Sequence, residues 1–252
     1  MEDICNPFCL KDKTILVTGA SSGIGQSVAI ACAKMGATVV LTARNEARLQ
    51  ETLRQMPDGA HLVIPADIVH PEQIQQLVET IPVLNGIVHC AGVGSRVPCK
   101  SLDLSSIDFV MKPNFVAPVL LQAAILSYKK LSRASSVVFI ASRAYESPSI
   151  GNAVYSASKG ALISYTKSLA LELAPRQIRD NSICPAMVWT NLILQDAVTQ
   201  DELEKAQMSY PLKRYGKPDD VANLVLYLLS DASAWMTGSA IDLTGGGEGT
   251  LT

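Results

Sequence analysis

Short apolar runs rich in β-branched residues alternate with amphipathic segments along the whole chain, and this alternation constrains the fold more than any other feature. Thr14–Thr18 (TILVT) reads as a buried strand, followed by a helix near Ile24–Met35. A second strand at Thr38–Thr42 precedes a charged helix over Asn45–Gln55, and a third at His61–Ile64 precedes a helix that starts near Pro71, where proline suits a first turn. Gly86–His89 is a fourth strand, then comes a long helix over Ile107–Leu131. Ser136–Ala141 (SVVFIA), a helix at Ala153–Leu173, Arg179–Cys184, a helix at Asp219–Leu229 and a last strand at Ala240–Leu243 complete the pattern. Strands separated by helices pair in parallel, because parallel neighbours need long crossovers. Their near-continuous apolar character fits a sheet covered on both faces. The expectation is an α/β chain forming a single doubly wound domain over residues 1–252, with a parallel sheet of about seven strands flanked by helices. A length of 252 residues suits one large domain.

The first strand runs into Thr18-Gly19-Ala20-Ser21-Ser22-Gly23-Ile24-Gly25 and then into a helix. Glycines permit a tight turn and let backbone N–H groups approach a pyrophosphate at a helix N-terminus, where the helix dipole favours anions. Three glycines between a strand and a helix also serve plain tight packing. The strand before and the helix after favour dinucleotide binding, and with it a Rossmann-type fold.

Composition narrows the remaining classes. The chain is 48% hydrophobic and 17% charged, with a formal net charge of −2 and no basic run, which disfavours nucleic acid or an acidic membrane surface as partner. No stretch reaches about 18 uninterrupted apolar residues, the length a membrane helix needs. The N-terminus, with Glu2 and Asp3, does not read as a signal peptide. Six scattered cysteines (Cys5, Cys9, Cys32, Cys90, Cys99, Cys184) form no CxxC pair, so neither a disulfide framework nor a zinc site is expected. A reducing, cytoplasmic location follows as an expectation.

The reactive signal is Tyr155-Ser156-Ala157-Ser158-Lys159 near the start of a helix. Residues four apart lie on one helical face. A tyrosine hydroxyl, with pKa about 10, is a poor base at neutral pH. A neighbouring ammonium and a cationic oxidised nicotinamide both favour the phenolate. Tyr-x-x-x-Lys alone recurs by chance; after a fifth strand, and with the glycine turn on the first, it points to catalysis. Ser142 lies at the C-terminal end of that fifth strand, where open α/β sheets bind ligands.

The Gly-x-x-x-Gly-x-Gly spacing together with these residues resembles the short-chain dehydrogenase/reductase family, and the likeness extends from Leu10 to Gly247. Within it, the Arg214–Asp220 and Thr237–Ser239 segments are similar to bacterial 3-oxoacyl-carrier-protein reductases. The resemblance implies that Ser142, at the family's spacing from Tyr155, holds the substrate oxygen. It also implies that Tyr155 exchanges the proton, and that Lys159 binds the nicotinamide ribose and tunes Tyr155. Asn114 matches the family's water-holding Asn in a proton relay. Pro113 breaks the helical ladder there, and Lys112-Pro113 could equally displace the alignment. His89-Cys90-Ala91-Gly92 matches the family's NNAG segment without either Asn side chain; Cys90 reads better as a packing residue than as a nucleophile. Pro185-Ala186-Met187-Val188-Trp189-Thr190 matches the segment beside the nicotinamide, with Ala186 in place of the usual glycine.

Ala43 stands where NAD-preferring members carry an acidic residue, and Arg44 follows it, which favours a 2′-phosphate and hence NADP(H) over NAD(H). Arg44 could instead be a solvated residue pairing with Glu46 or Glu51. The expected cofactor contacts are Gly19, Ser21, Ser22, Gly23, Ile24, Gly25, Arg44, Asn45, Asp67, Ile68, Cys90, Ala91, Gly92, Tyr155, Lys159, Pro185, Val188 and Thr190, with no metal. The substrate is expected to be a small carbonyl or secondary alcohol, as for a ketone or 3-oxoacyl-type reductase. A lid at about 191–211, carrying Leu192, Ile193, Leu194, Val198, Leu203, Met208 and Tyr210, is expected over the pocket unless this is a plain amphipathic surface helix. Ser95–Cys99 and Arg143–Ser149 are expected as its opposite walls. The resemblance also implies a homotetramer or homodimer. Two rivals stay open: an NAD-dependent alcohol or sugar dehydrogenase, and a non-catalytic dinucleotide sensor or scaffold.

Overall fold

The computed structural model describes residues 6–193 and 199–247. Its elements run β1 (Thr14–Thr18), α1 (Gly23–Lys34), β2 (Thr38–Thr42), α2 (Glu46–Arg54), β3 (Leu62–Val63), α3 (Pro71–Thr80) and β4 (Leu84–His89). They continue with α4 (Leu104–Met111), a π turn (Lys112–Val116), α5 (Ala117–Ser127), β5 (Leu131–Ile140), α6 (Ala153–Leu173), β6 (Arg179–Pro185), α7 (Gln200–Gln207), α8 (Pro218–Leu229) and β7 (Ala240–Leu243). The seven strands form one all-parallel sheet in the order β3-β2-β1-β4-β5-β6-β7. Because β1 pairs with both β2 and β4, the chain changes winding direction between them, and a crevice opens at the C-terminal strand ends.

Each face of the sheet carries its own core. Val17, Val39, Leu41 and Val138 pack with α1 and α8 residues such as Val28, Val221 and Val225. On the other face Leu16, Ile87, Val137 and Phe139 pack with Ile74, Leu121, Leu162 and Leu169 from α3, α5 and α6. Burial on both faces is the physical reason the strands read as continuous apolar runs.

Several boundaries depart from expectation for local reasons. The long helix begins at Leu104, not Ile107, because Asp103 forms a capping box: Ser106 N donates to Asp103 Oδ1 at 2.7 Å and Asp103 N to Ser106 Oγ at 3.0 Å. It ends at Ser127, and Lys129 takes a positive φ of 56° to turn the chain into β5. Leu131, expected as the last helical residue, therefore opens a strand; exposed Arg133 and Ala134 in its first half masked that strand in the sequence. β3 shrinks to two residues, since His61 Nδ1 accepts the Val39 N–H (3.1 Å) in place of a backbone partner.

Pro113 neither restarts nor stops the helix; the chain absorbs its missing N–H in the π turn. Taken through that turn, Leu104–Ser127 is 24 residues and contains an 18-residue stretch of mean hydropathy 1.5, long and apolar enough to cross a membrane by length and composition. Counting only uninterrupted apolar residues had hidden this. Fully buried Asn114 and Gln122 interrupt it, and α5 packs on α3.

Asp180 on β6 is fully buried, and neither carboxylate oxygen has a hydrogen-bond partner among the described residues. Burial holds its pKa well above the ordinary carboxylate value. A carboxyl whose folded pKa is raised loses stability as pH climbs from its unfolded value toward the folded one. Asp180→Val should therefore raise Tm, and by more at pH 8 than at pH 5. About 1 kcal/mol moves Tm by roughly 2–4 °C in a domain this size. A Tm gain independent of pH in thermal melts would contradict a neutral buried Asp180.

Candidate active site

A cleft of about 1660 Å³ lies at the C-terminal edge of the sheet. The β1–α1 turn brings Gly19, Ser21, Ser22, Gly23, Ile24 and Gly25 to it. Gly19 takes φ +67°, and a Cβ there would meet the Ala91 backbone at 3.0 Å, so this turn lies directly against the end of β4. A Cβ on Gly25 would sit 2.3 Å from the Gly19 carbonyl oxygen. Ser22, at the N-cap of α1, makes no side-chain capping bond, so the first N–H groups of α1 are not met by that side chain.

Arg44 and Asn45 line the cleft after β2, and Asp67 and Ile68 after β3. Arg44 is exposed and forms no ion pair with Glu46 or Glu51 among the described residues. The Asn45 side chain is already engaged, accepting the Arg48 N–H at 3.0 Å to cap α2. Asp67 is likewise partly engaged, accepting the Val69 N–H at 3.1 Å.

Cys90, Ala91 and Gly92 line the cleft after β4. Thr18, the last residue of β1, holds this stretch in place. Its Oγ1 accepts N–H bonds from Cys90 (3.0 Å) and Ala91 (3.1 Å), tying β1 to β4 at the switch point. Thr42 at the end of β2 also lines the cleft, and its buried Oγ1 has no partner among the described residues. A threonine closing a strand at the cleft edge was the available signal. Arg48 and, from α4 and the π turn, Asp108, Phe109 and Lys112 complete this wall. A helix read only for its apolar periodicity gave no hint of them.

Ser142, Tyr155 and Lys159 come together on the other side of the switch point. Burial holds the Tyr155 pKa above the ordinary tyrosine value, and the neighbouring Ser142 hydroxyl acts in the opposite direction. The sequence reading expected Lys159 to favour the phenolate. In the protein by itself the Lys159 Nζ stands 5.8 Å from the Tyr155 ring centroid and donates to the Ile140 carbonyl at 2.8 Å. Burial lowers the Lys159 pKa to about 8. The ammonium is thus tethered to the end of the strand that presents Ser142. Burial also raises Cys90 to about 12, so its thiol stays protonated and unreactive.

Asn114 is fully buried in the π turn and does not line the cleft. Its Oδ1 accepts the Val93 N–H (2.8 Å), while its Nδ2 donates to Val93 O (2.9 Å) and Ser158 Oγ (3.2 Å). Ser158 Oγ in turn donates to the Tyr155 carbonyl at 2.7 Å. The side chain is a clamp between the β4 loop and α6, with its hydrogen-bonding capacity spent.

Pro185, Val188 and Thr190 line the cleft as expected, and Ala186 needs no glycine, since it is not among the residues with positive φ. Asn191, Leu192 and Ile193 line its mouth. The rest of the expected lid divides differently. Leu194 and Val198 lie outside the described residues, Met208 is exposed, and Leu203 and Tyr210 are buried with Tyr215 in a small separate core. The Ser95–Cys99 and Arg143–Ser149 walls do not line the cleft. Val97 N instead bonds Gly151 O (2.9 Å), and Arg143 is held in ion pairs with Glu146 and with Asp242, the latter at 2.9 Å.

A family model described as enoyl-(acyl carrier protein) reductase matches residues 19–248. The chain is 35% identical over 240 residues to an L-xylulose reductase of Caenorhabditis elegans, covering 93% of this chain and 95% of that one. It is 32% identical over 237 residues to a 3-oxoacyl-[acyl-carrier-protein] reductase of Rickettsia felis, covering 94% and 97%. Among solved structures, 3-ketoacyl-(acyl-carrier-protein) reductase from Brucella melitensis complexed with NADH superposes with a TM-score of 0.85 at 29% identity, covering 94% of this chain and 98% of that one.

Proposed function

The chain belongs to the short-chain dehydrogenase/reductase family and is an NAD(P)-dependent oxidoreductase, and from that premise we propose that it reduces a ketone, of sugar or 3-oxoacyl type, with NADPH. The observation that carries this reading is one cleft with Ser142, Tyr155 and Lys159 at one end and an exposed Arg44, unpaired among the described residues, at the other.

The residues present fit a dinucleotide. The glycine turn leaves the α1 N-terminus open to a pyrophosphate, and Thr42, whose buried Oγ1 has no partner among the described residues, lines the same cleft. In this reading Gly19 to Gly25 hold the pyrophosphate, Arg44 the 2′-phosphate, and Asp67 with Ile68 the adenine. Cys90 to Gly92 admit the chain of the cofactor closely, and Lys159, Pro185, Val188 and Thr190 flank the nicotinamide and its ribose. When bound, the nicotinamide supplies or accepts the hydride.

Tyr155 gives its phenolic proton to the substrate oxygen. A pKa held up by burial suits this, since the group keeps its proton until the oxygen develops charge. Ser142 hydrogen-bonds the same oxygen, and Lys159, steadied by Ile140 O, binds the ribose beside them. Asn114 positions Val93 and Ser158 by its side chain, which leaves its main chain for any solvent relay. We read residues 1–252 as one dinucleotide-binding domain with 191–211 as a substrate lid. The free thiols fit a cytoplasmic protein, and exposed Leu104, Leu120, Leu171 and Trp235 fit association into a homodimer or homotetramer.

The test is steady-state turnover of ketones, diketones, β-ketoesters and sugars with NADPH and with NADH. NADPH should be the better cofactor. Arg44→Ala should cost about 10–100-fold in kcat/KM for NADPH, as expected when a charge-assisted contact of about 1.5–3 kcal/mol is lost, with little change for NADH. Equal efficiency with both cofactors in the unaltered protein would favour the second reading, an NAD-dependent alcohol or sugar dehydrogenase, to which the NADH-bound relative lends support.

A further inference from the structure

The wall of the cleft at Met187–Thr190 is held by a structure separate from the two sheet cores. Leu203 of α7, Tyr210 and Tyr215 are buried together, with Met187, Trp189, Ile193 and Ala206 packed around them. Tyr215 lies 5.6 Å from the Trp189 ring and 5.0 Å from the Tyr210 ring. The backbone adds a short parallel bridge: Trp189 N donates to Gly216 O at 2.9 Å and Gly216 N to Met187 O at 2.9 Å. One side chain links this assembly to the last residue of α7. Gln207 Oε1 accepts from Trp189 Nε1 at 3.1 Å and from Tyr215 N at 3.4 Å.

Trp189 lies between Val188 and Thr190, both of which line the cleft. Its indole is therefore the lever by which α7 acts on that wall. We propose that the Trp189–Gln207 hydrogen bond couples the position of α7 to the cofactor-binding wall, so that Gln207 is a positioning residue for cofactor and substrate affinity. This rests on the reading that Val188 and Thr190 flank the nicotinamide. The physical argument is one of satisfaction. Without the Gln207 acceptor, the Trp189 and Tyr215 N–H groups lose their partner in a half-buried setting, and the wall gains freedom to shift.

The experiment measures NADPH Kd by tryptophan and nicotinamide fluorescence, KM and kcat, and Tm, for Gln207→Leu, Gln207→Glu, Trp189→Phe and the Gln207→Leu/Trp189→Phe pair. Gln207→Leu should weaken NADPH and raise substrate KM about tenfold, the ratio that about 1.4 kcal/mol represents, with kcat little changed. Gln207→Glu, which keeps the acceptor, should restore both. The double variant should fall short of the sum of the single effects, because both changes remove the Trp189–Gln207 bond. A fall in Tm with Kd and KM unchanged would reduce Gln207 to a packing residue and overturn the proposal, as would failure of Gln207→Glu to rescue. Additive effects in the double variant would overturn it too. If the unaltered protein bound neither NADPH nor NADH, the cofactor reading would fall first and this proposal with it.

Discussion

Tyr155→Phe should lower turnover by about 10²–10⁴-fold, the range that a positioned general acid contributes, while NADPH binding is retained. The substitution removes one oxygen and leaves the ring, so helix α6 is undisturbed. Lys159 keeps its tether to Ile140 O (2.8 Å) and its place beside the cofactor half of the cleft. Ser142 still caps the following turn by accepting the Ala144 N–H at 3.2 Å. Absorbance of the reduced nicotinamide against the best carbonyl substrate, with cofactor Kd measured in parallel, reads both effects. Turnover in the variant within a few-fold of the unaltered protein would mean that another group donates the proton, and the roles given to Ser142 and Lys159 would fall with it.

Gly25→Ala should cost ~100-fold or more in NADPH affinity, about two steps of 1.4 kcal/mol. The new Cβ would stand 2.3 Å from the Gly19 carbonyl oxygen and 2.7 Å from its carbon. Both are backbone atoms and cannot rotate aside. The β1–α1 turn has to open, and the N–H groups that would meet the pyrophosphate leave their positions. Gly160→Ala on α6 is the matched control, since its Cβ would meet only Tyr145 Cβ at 3.8 Å, an ordinary contact. Circular dichroism separates loss of binding from loss of fold. Undiminished NADPH affinity in a folded Gly25→Ala protein would remove the pyrophosphate from this turn.

The residues that were legible in the sequence owe it to local rules. Gly19, Gly23 and Gly25 are legible because a strand-to-helix turn of this tightness needs them. Tyr155 and Lys159 are legible because four residues on a helix is one turn. Arg44 could be placed at the cleft because it directly follows the second strand. The illegible ones act across the chain. Thr18 ties the end of β4, 72 residues away, and Ile140 holds Lys159 from 19 residues upstream. Nothing in the neighbourhood of either residue announces its partner. The walls assigned to Ser95–Cys99 and Arg143–Ser149 failed for the same reason. Proximity in sequence to Ser142 put Arg143 near the site, but its guanidinium is engaged by the carboxylate of Asp242, on an edge strand 99 residues later.

By itself the sequence determined the layered α/β architecture and the strand count, because hydrophobic period and length are properties each segment carries alone. It determined the glycine turn and the Tyr-x-x-x-Lys pair that line the cleft as well, since both are closed within one loop or one helical turn. Only the tertiary structure decided how Asn114 spends its side chain and that Asp180 lies buried without a partner. It alone decided that Leu203 and Tyr210 belong to a core under the cleft wall and not to the pocket. Those outcomes depend on which atoms from distant segments arrive within hydrogen-bonding or van der Waals reach, and burial and partnership are set only when the sheet closes and the helices dock upon it.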